Sequence, residues 1–470
     1  MKARGSLSVL FTFCIFFAIA SPSEAASAGG RCTRVGTTAR QGRVTLQCTK
    51  VGKTLKWVRK PTTSGSTQGS PQIAAGDTCS SDGVTVTSGS LTLECRRVAS
   101  NNYKYFEVST VFSPLSNPAS PEPIDVCRLP DQRTVRAVQG PQAIAYPAVA
   151  SSVVTNRGTV NIAVILVDFA DVVGDQSEIA DHVAQVKKAA EWMTWYSQGN
   201  VKYSLQITER WIRAPRPSGD YFWLHPGKSG TQVQSDQEIA SAYQGFARSV
   251  VDMSNITVIW VVHPKKVTAI DEGFAWRGSP SVFSIGSDTY KGGWPIWQHF
   301  LHETLHSHGA LGHSPKNSFF GLFNFTGSPG ATLNSWDAIT LDWMRIENLY
   351  CVSRDRLARV ELNLVPLERE QAGLRAAVVK LSNSEALIIE SHRRDKWSDR
   401  WPAGTYGVTV MRVDTRVDTV FDMGSSTGRY LMDDRRNSLM VEGESLETDG
   451  VRISLIRSGN QDVVRLEPIG

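Results

Sequence analysis

Several features are missing from this chain of 470 residues. Its lysines and arginines form no runs of the kind that follow a nucleic-acid backbone, and the net charge of +5 is mild. Beyond residue 20, no apolar stretch is long enough to cross a bilayer. No Cys-x-x-Cys pair is present, which argues against a zinc ribbon. We therefore expect no nucleic-acid role and no membrane span after the first residues.

The first residues have the composition of a secretory leader. Lys2 and Arg4 precede an apolar run over residues 7–20, and small residues around Ala25 follow at a cleavage position. Because the apolar run is short for a span, we expect residues 1–25 to be a signal peptide that is removed rather than a retained membrane anchor. The protein is then secreted, extracellular or at the cell surface. The remaining chain of about 445 residues predicts two or three domains.

The cysteines indicate a duplication. Once Cys14 leaves with the leader, six remain, and an even number in an exported chain favours disulfides. Cys32 and Cys48 have the same separation as Cys79 and Cys95, with a period of 47 residues. Gly36, Gly42 and Leu46 in the first copy recur as Gly83, Gly89 and Leu93 in the second. Each copy buries little apolar surface, so we expect a small hairpin module closed by its own disulfide.

Cys127 and Cys351 remain for each other. The alternative is that Cys127 caps a metal as a thiolate, within a segment that acts as a propeptide. A disulfide leaves no unpaired cysteine, and we prefer it. Composition divides the chain into the copies at 30–60 and 77–108, a linker at 61–76, a linker or pro-segment at 109–155, a main domain at 156–355 and a β-rich region at 356–470.

The main domain shows alternating strand and helix patterns. Residues 160–169 are apolar and β-branched and predict a buried strand, and residues 177–197 have helical spacing. Further patterns predict a strand at 203–208, a helix at 236–253 and a strand at 256–262. Beyond residue 355 the predicted elements are short strands at 358–364, 376–381, 386–390, 407–413 and 451–456. An α+β fold with a mixed sheet follows.

The candidate metal-binding and catalytic residues are concentrated in one short segment. Five of the nine histidines are His299, His302, His306, His308 and His313. On a helix, His302 and His306 lie one turn apart on one face, so both imidazoles can reach a single ion. Glu303 lies beside them and can deprotonate a water. Zinc is the expected ion because it suits neutral imidazole and keeps an open position.

The third ligand is expected just beyond this helix. Gly309 can adopt the left-handed conformation that ends a helix, so the chain can turn back towards the metal. His313 is the first candidate for the ligand, and His308 is the second. The alternative for the whole segment is a histidine-rich helix without a metal.

Residues from about 156 to 420 resemble the immune inhibitor A family of secreted bacterial zinc metallopeptidases, which is related to the metzincins. The resemblance rests on the order of five blocks: 160–169, Trp195–Val201, the histidine helix, Asn334–Asp337 with Leu341–Trp343, and Leu387–Arg393 with Gly407–Asp414. It implies a zincin-like domain with an active-site helix, and hydrolysis of peptide bonds in a protein or peptide substrate. Glu303 would be the general base, and His302 and His306 would be zinc ligands.

The sequence departs from the metzincin pattern in two places. That pattern places the third ligand at Gly312, whereas the histidine is one position later, at His313. The family's methionine-bearing turn is replaced by Gly321–Asn324, in which Leu322 takes the apolar position. The cysteine copies resemble small repeats on surface proteins of Gram-positive bacteria, which implies an association with the cell wall.

Two further hypotheses concern calcium and function. Asp168, Asp171, Asp175 and Glu178 cluster after the first strand and could bind Ca²⁺, although a solvated acidic turn is the simpler interpretation because the twelve-residue calcium loop is missing. A noncatalytic surface-binding protein with a degenerate metal site is the alternative to a secreted zinc endopeptidase. A zinc hydrolase that acts on cell-wall peptides is another.

Overall fold

The computed structural model describes residues 27, 29–41, 44–59, 73–74, 77–80, 84–89, 91–99, 102–107, 115–133, 145–148, 154–225, 228–292, 295–309, 332–370, 372–394, 396–398, 406–416, 428–430 and 439–470. The chain divides into two compact units, Met1–Gln72 and Ile73–Gly470. Over the described residues the fold is α+β, with twenty strands and five α-helices. The mixed α+β class is therefore confirmed. The predicted leader lies outside the described residues.

In its described residues, the first unit contains one antiparallel sheet. Its strands are β1 (Thr38–Gln41), β2 (Val44–Val51) and β3 (Thr54–Arg59), in the order β1-β2-β3. Because side chains alternate along a strand, Leu46 and Cys48 of β2 share one face, and both are buried. A disulfide joins Cys48 to Cys32. It cross-links a sheet that is too small for a large apolar core.

The second unit begins with another three-stranded antiparallel sheet. Its strands are β4 (Thr85–Ser88), β5 (Leu91–Ala99) and β6 (Asn102–Glu107), in the order β4-β5-β6. Leu93 and Cys95 are buried, and a disulfide joins Cys95 to Cys79. Both predicted disulfides within the cysteine copies are thus confirmed.

The third disulfide joins Cys127 to Cys351, as predicted. Close to it, the Ser120 hydroxyl donates a hydrogen bond to the Leu349 carbonyl at 3.2 Å. Residues 115–133, which belong to the predicted linker or pro-segment, therefore contact the part of the chain that carries Cys351. With its sulfur in a disulfide, Cys127 has no thiolate with which to cap a metal.

A five-stranded sheet forms the centre of the second unit. Its strands are β7 (Gly158–Asp168), β8 (Val201–Arg213), β9 (Val258–Val262), β10 (Ala275–Trp276) and β11 (Ser281–Ser284), in the order β10-β11-β9-β7-β8. Neighbouring strands are parallel except β10, which pairs with β11 in the antiparallel direction. The strands predicted at 160–169, 203–208 and 256–262 correspond to β7, β8 and β9.

Two helices explain why β7 is apolar throughout. On one face of β7, Ile162 and Val164 belong to the same buried cluster as α1 (Ile179–Tyr196). On the other face, Ala163 and Ile165 belong to the cluster that includes α2 (Asp236–Arg248). A strand covered on both sides needs apolar residues at every position rather than at alternate ones.

The predicted end of the second helix is wrong. The helix was expected to reach residue 253, but α2 ends at Arg248, with Ser249 as its C-cap. Val250 and Val251 still pack partly against the α2 cluster, so the apolar pattern continues after the helix has stopped. Their β-branched side chains lower the helix propensity of this stretch. The predicted helix at 177–197 matches α1.

Three helices lead from the central sheet towards the C-terminal region. They are α3 (Ser287–Lys291), α4 (Ile296–Ser307) and α5 (Ser335–Thr340). The helix α4 carries the histidine motif. Residues 310–331 between α4 and α5, which include the predicted Gly321–Asn324 turn with Leu322, lie outside the described residues.

The C-terminal region consists of two sheets that pack on each other. The first contains β12 (Leu349–Ser353), β14 (Ala376–Lys380), β15 (Glu385–Arg393), β16 (Tyr406–Asp414) and β17 (Gly428–Tyr430), in that order. The second contains β13 (Val360–Leu364), β20 (Asp462–Pro468), β19 (Val451–Arg457) and β18 (Ser445–Thr448). The five predicted C-terminal strands correspond to β13, β14, β15, β16 and β19.

The first C-terminal sheet contributes to two cores. Leu387 and Ile389 of β15 pack with the second sheet, whereas Ile388, on the opposite face, joins the cluster that contains α1 and α4. The region predicted at 356–470 is thus β-rich, and one face of it supports the helix with the histidine motif. The predicted segment boundaries themselves stay predictions. Within the described part of the chain, no helix combines the length and apolar character that a membrane span requires.

Candidate metal centre

The ends of α4 follow from its sequence. The helix begins after Pro295, whose fixed φ suits a helix start, and His308 is its C-cap. Gly309 then has φ +88°, the left-handed conformation that commonly follows a helix. The predicted role of Gly309 as the residue that ends the helix is confirmed.

One face of α4 is fixed against the central sheet. The rings of Phe300 and Trp260 stack with centroids 4.9 Å apart, and the Trp260 indole N–H donates to the Thr304 hydroxyl at 3.0 Å. The Thr304 hydroxyl in turn donates to the Phe300 carbonyl at 2.6 Å. These contacts set the rotation of the helix about its axis. Residues 302 and 306 lie about 200° around the helix from residues 300 and 304, and so point away from Trp260.

The structure brings the two motif histidines together. The Nε2 atoms of His302 and His306 are 3.2 Å apart, and the rings are nearly perpendicular, at 87°. Both side chains are almost fully buried, with 3% and 4% of their surface exposed. The Oε1 atom of Glu303 lies 3.9 Å from Nε2 of His302, and 18% of its side chain is exposed. Two imidazole nitrogens and one partly accessible carboxylate therefore share one small region.

This geometry fits a zinc ion. Zn–N bonds of about 2.0–2.1 Å at a tetrahedral angle place two ligand nitrogens about 3.3 Å from each other. The separation of 3.2 Å between the two Nε2 atoms agrees with that value. The same separation also allows one neutral imidazole to donate a hydrogen bond to the other. His302 and His306 could thus hold the ion without a change of backbone.

The side chains of His299 and His308 contact other groups in the core. Nε2 of His299 lies 3.0 Å from the Ser284 carbonyl of β11. The ring of His308 stacks on Tyr203, its Nε2 lies 3.0 Å from the Tyr203 hydroxyl, and its Nδ1 lies 3.2 Å from the Asn156 side-chain oxygen. Burial lowers the pKa of His308 to about 3, so this imidazole is neutral.

The second candidate for the third ligand is therefore wrong. Both ring nitrogens of His308 already have partners in the core, because the C-cap position points towards β8 rather than towards His302. His313 lies outside the described residues, so its assignment stays a prediction. Within the described ranges, no group of three or more histidine, cysteine, aspartate or glutamate side chains is arranged to hold a metal.

The acidic residues after β7 do not form a common calcium site. Asp168 accepts hydrogen bonds from the Arg213 guanidinium at 2.8 Å and from the Gly174 amide at 2.8 Å. Asp171 accepts from Ser218 at 2.6 Å. Asp175 caps the short helical turn that precedes α1, and Glu178 approaches His182 at 3.5 Å. The carboxylates bind separate protein donors, as expected of residues that order a turn.

Sequence reasoning missed a second buried histidine site. On β15, Nδ1 of His392 lies 2.8 Å from Glu368 and its Nε2 lies 3.0 Å from Glu390. All three side chains have at most 1% of their surface exposed. Burial alone would lower the pKa of His392, but the two carboxylates outweigh it and raise the pKa to about 10. The detectable signal was a run of polar residues, 390–393, directly after the apolar residues 386–389 of the same strand.

The fold and the histidine geometry define an α+β protein with a candidate metal site on a helix that faces a mixed sheet. No protein-family model matches the chain, and no curated protein matches it. Among solved structures, the chain is similar to metalloproteinase-II from Bacteroides fragilis, with a TM-score of 0.26 and 12% identity, over 56% of this chain and 78% of that one. So distant a likeness carries no argument about the site.

Proposed function

We propose that this chain is a secreted zinc-dependent endopeptidase with a zincin-like main domain. The observation that supports it most is the convergence of two imidazole Nε2 atoms at 3.2 Å, beside the carboxylate of Glu303. His302 and His306 would hold the ion, with His313 as the proposed third ligand. The resemblance of residues 156–420 to the immune inhibitor A family and the three disulfides are consistent with this proposal.

The proposed chemistry assigns one task to each residue. Zinc supplies Lewis acidity at such a site. Glu303 accepts a proton from the attacking water and delivers it to the departing amine, because its carboxylate is adjacent to the histidines and remains partly accessible. His302 and His306 are almost fully buried, and zinc binds imidazole in its neutral form.

The test measures zinc content and proteolysis on the full chain. We expect one equivalent of zinc and hydrolysis of a labelled casein by the native protein. Glu303→Gln should keep the zinc and lose activity by about 10²–10⁴-fold, the range for loss of a general base. Glu209→Gln is the matched control because this glutamate is exposed on β8. Full activity in Glu303→Gln, or native protein without zinc or hydrolysis under zinc-replete conditions, would exclude the proposal.

A further inference from the structure

The two cysteine copies differ sharply in charge. Residues 30–60 contain nine basic residues and no aspartate or glutamate. Residues 77–108 contain three basic residues, Arg96, Arg97 and Lys104, against four acidic ones, Asp77, Asp82, Glu94 and Glu107. Within the first copy, no carboxylate is available to neutralise any of the cations. Among the basic side chains of the first copy whose exposure the structure describes, six are exposed: Arg31, Arg34, Arg40, Lys50, Lys53 and Lys56.

Three of these cations lie on one face of the first sheet. The opposite face carries Leu46 and Cys48, so residues 45, 47 and 49 of β2 point outward. Arg40 pairs with residue 45, and Lys56 pairs with residue 49, which places both on the outward face. Arg31 forms an isolated bridge with Lys56 and lies beside it. We call Arg31, Arg40 and Lys56 the basic face.

The basic face carries a repulsion that no carboxylate of the first copy offsets, because residues 30–60 contain neither aspartate nor glutamate. Like charges on directly paired residues destabilise a sheet, and Arg31 and Lys56 are such a pair. The second copy has the same strand order and an equivalent register, but its corresponding bridge joins Thr78 to Lys104. The position of Arg40, which is paired with Thr45, is taken by Thr87, which is paired with Thr92. The sheet therefore forms without these charges.

We infer that the basic face binds an acidic polysaccharide, with the charges of the polymer complementing Arg31, Arg40 and Lys56. The hydroxyl and amide side chains of Thr38, Gln47 and Thr49 lie on the same face and suit sugar hydroxyls. In the second copy Glu94 stands where the first copy has Gln47, which would repel such a polymer. This inference does not depend on the proposed peptidase activity.

Other anionic partners fit the basic face less well. Bases of single-stranded nucleic acid stack on aromatic side chains, and Trp57, the one aromatic residue of the first copy, pairs with Cys48 on the inner face. Insertion into a membrane surface uses exposed Trp, Phe or Leu, whereas the exposed apolar residues on this face are Val51 and Val58.

The test compares matched triple substitutions in the full-length protein. Binding to immobilised dextran sulfate is measured at low and at physiological salt, with neutral dextran as the blank. The variant Arg31→Thr/Arg40→Thr/Lys56→Thr should bind at least about tenfold more weakly and show a shallower salt dependence, because three cations that pair with sulfate groups of the polymer are lost. The control Arg96→Thr/Arg97→Thr/Lys104→Thr removes the same charge from the second copy and should change binding by less than about twofold.

Three outcomes would overturn the inference. Equal losses in the two variants would mean that net charge, not the basic face, drives binding. Equally tight binding to duplex DNA or to phosphatidylglycerol vesicles at the same salt would exclude a polysaccharide site. No binding of the native protein to dextran sulfate at physiological salt would exclude it as well. Intact disulfides by mass and an unchanged circular dichroism spectrum establish that each variant is folded.

Discussion

Two of the histidine–carboxylate groups in the second unit, one on helix α4 and one around strand β15, are built in opposite ways. In the helix pair, His302 and His306 direct their Nε2 atoms at each other, with Glu303 at 3.9 Å and partly exposed. In the strand cluster, His392 lies between Glu368 and Glu390 at 2.8 and 3.0 Å. Proximity of histidine and carboxylate is thus common to both.

The direction of the ring nitrogens distinguishes the two groups. The nitrogens of His392 are directed at two carboxylates, so the ring is held as a cation and has no lone pair for a metal. In the helix pair, the two Nε2 atoms lie 3.2 Å apart, which is the separation expected of two nitrogen ligands of one zinc ion. The strand cluster also binds the start of α5 and the residues before it. The Ser335 amide donates to Glu390 at 2.7 Å, and the Thr332 hydroxyl donates to Glu368 at 3.2 Å. We therefore assign it a structural role.

The largest expected effect is on the helix pair. His302→Gln should abolish stoichiometric zinc binding and lower proteolysis by about 10³-fold, because a lost ligand removes several kcal/mol of transition-state stabilisation. Zinc analysis and the casein assay measure both effects. His392→Gln is the contrasting variant and should keep one zinc per folded molecule. Loss of zinc in the His392 variant and its retention in the His302 variant would reverse our assignment of the two groups.

The second largest effect is on stability in the strand cluster. His392→Gln leaves two buried carboxylates without their cation, which should reduce the free energy of unfolding by about 3–5 kcal/mol. Urea denaturation measures the change. Glu361→Gln, which breaks a surface pair with Arg465, is the control and should cost less than about 1 kcal/mol. If the two variants were equally stable, the strand cluster would not be a structural element.

A smaller effect is expected on the pH dependence of stability. The pKa of His392 is raised to about 10, whereas an unfolded histidine titrates near about 6.5. The stabilising contribution of the cation is therefore complete below about pH 6.5 and declines as the pH rises to about 10. We expect the urea midpoint of the native protein to fall over this interval and that of His392→Gln to fall less. Parallel curves for the two proteins would contradict the buried cation.

The smallest effect tests the exclusion of His308 as a ligand. Tyr203→Phe removes the hydroxyl that lies 3.0 Å from the His308 ring, which should cost about 1 kcal/mol of stability. Zinc content and proteolysis should remain at the native level. A Tyr203→Phe protein that loses its zinc would indicate that His308 serves the metal after all.

Patterns that depend on local periodicity were predictable from the sequence. The apolar run of β7, the helical spacing of α1 and the positions of His302 and His306 on one helical face all follow from the periods of strand and helix. The end of α2 was not predictable, because Val250 and Val251 continue the apolar pattern and pack against the same cluster as the helix, beyond its last residue, Arg248.

Contacts between residues that are far apart in the sequence were the features that sequence analysis mainly failed to predict. His308 was a reasonable ligand candidate by its position, but its partners Asn156 and Tyr203 are 152 and 105 residues away. Glu368, in the turn after β13, and His392, on β15, are brought together by tertiary packing that no local pattern encodes. The disulfides were easier to predict, because the number of cysteines and their matching spacing limit the possible pairings.

The most direct test of the zinc site is an anomalous-diffraction structure of the full chain crystallised with zinc. We predict one peak about 2.0–2.1 Å from both the His302 and the His306 Nε2 atoms. A zinc ion bound elsewhere, or an empty helix pair in crystals grown with excess zinc, would contradict the account.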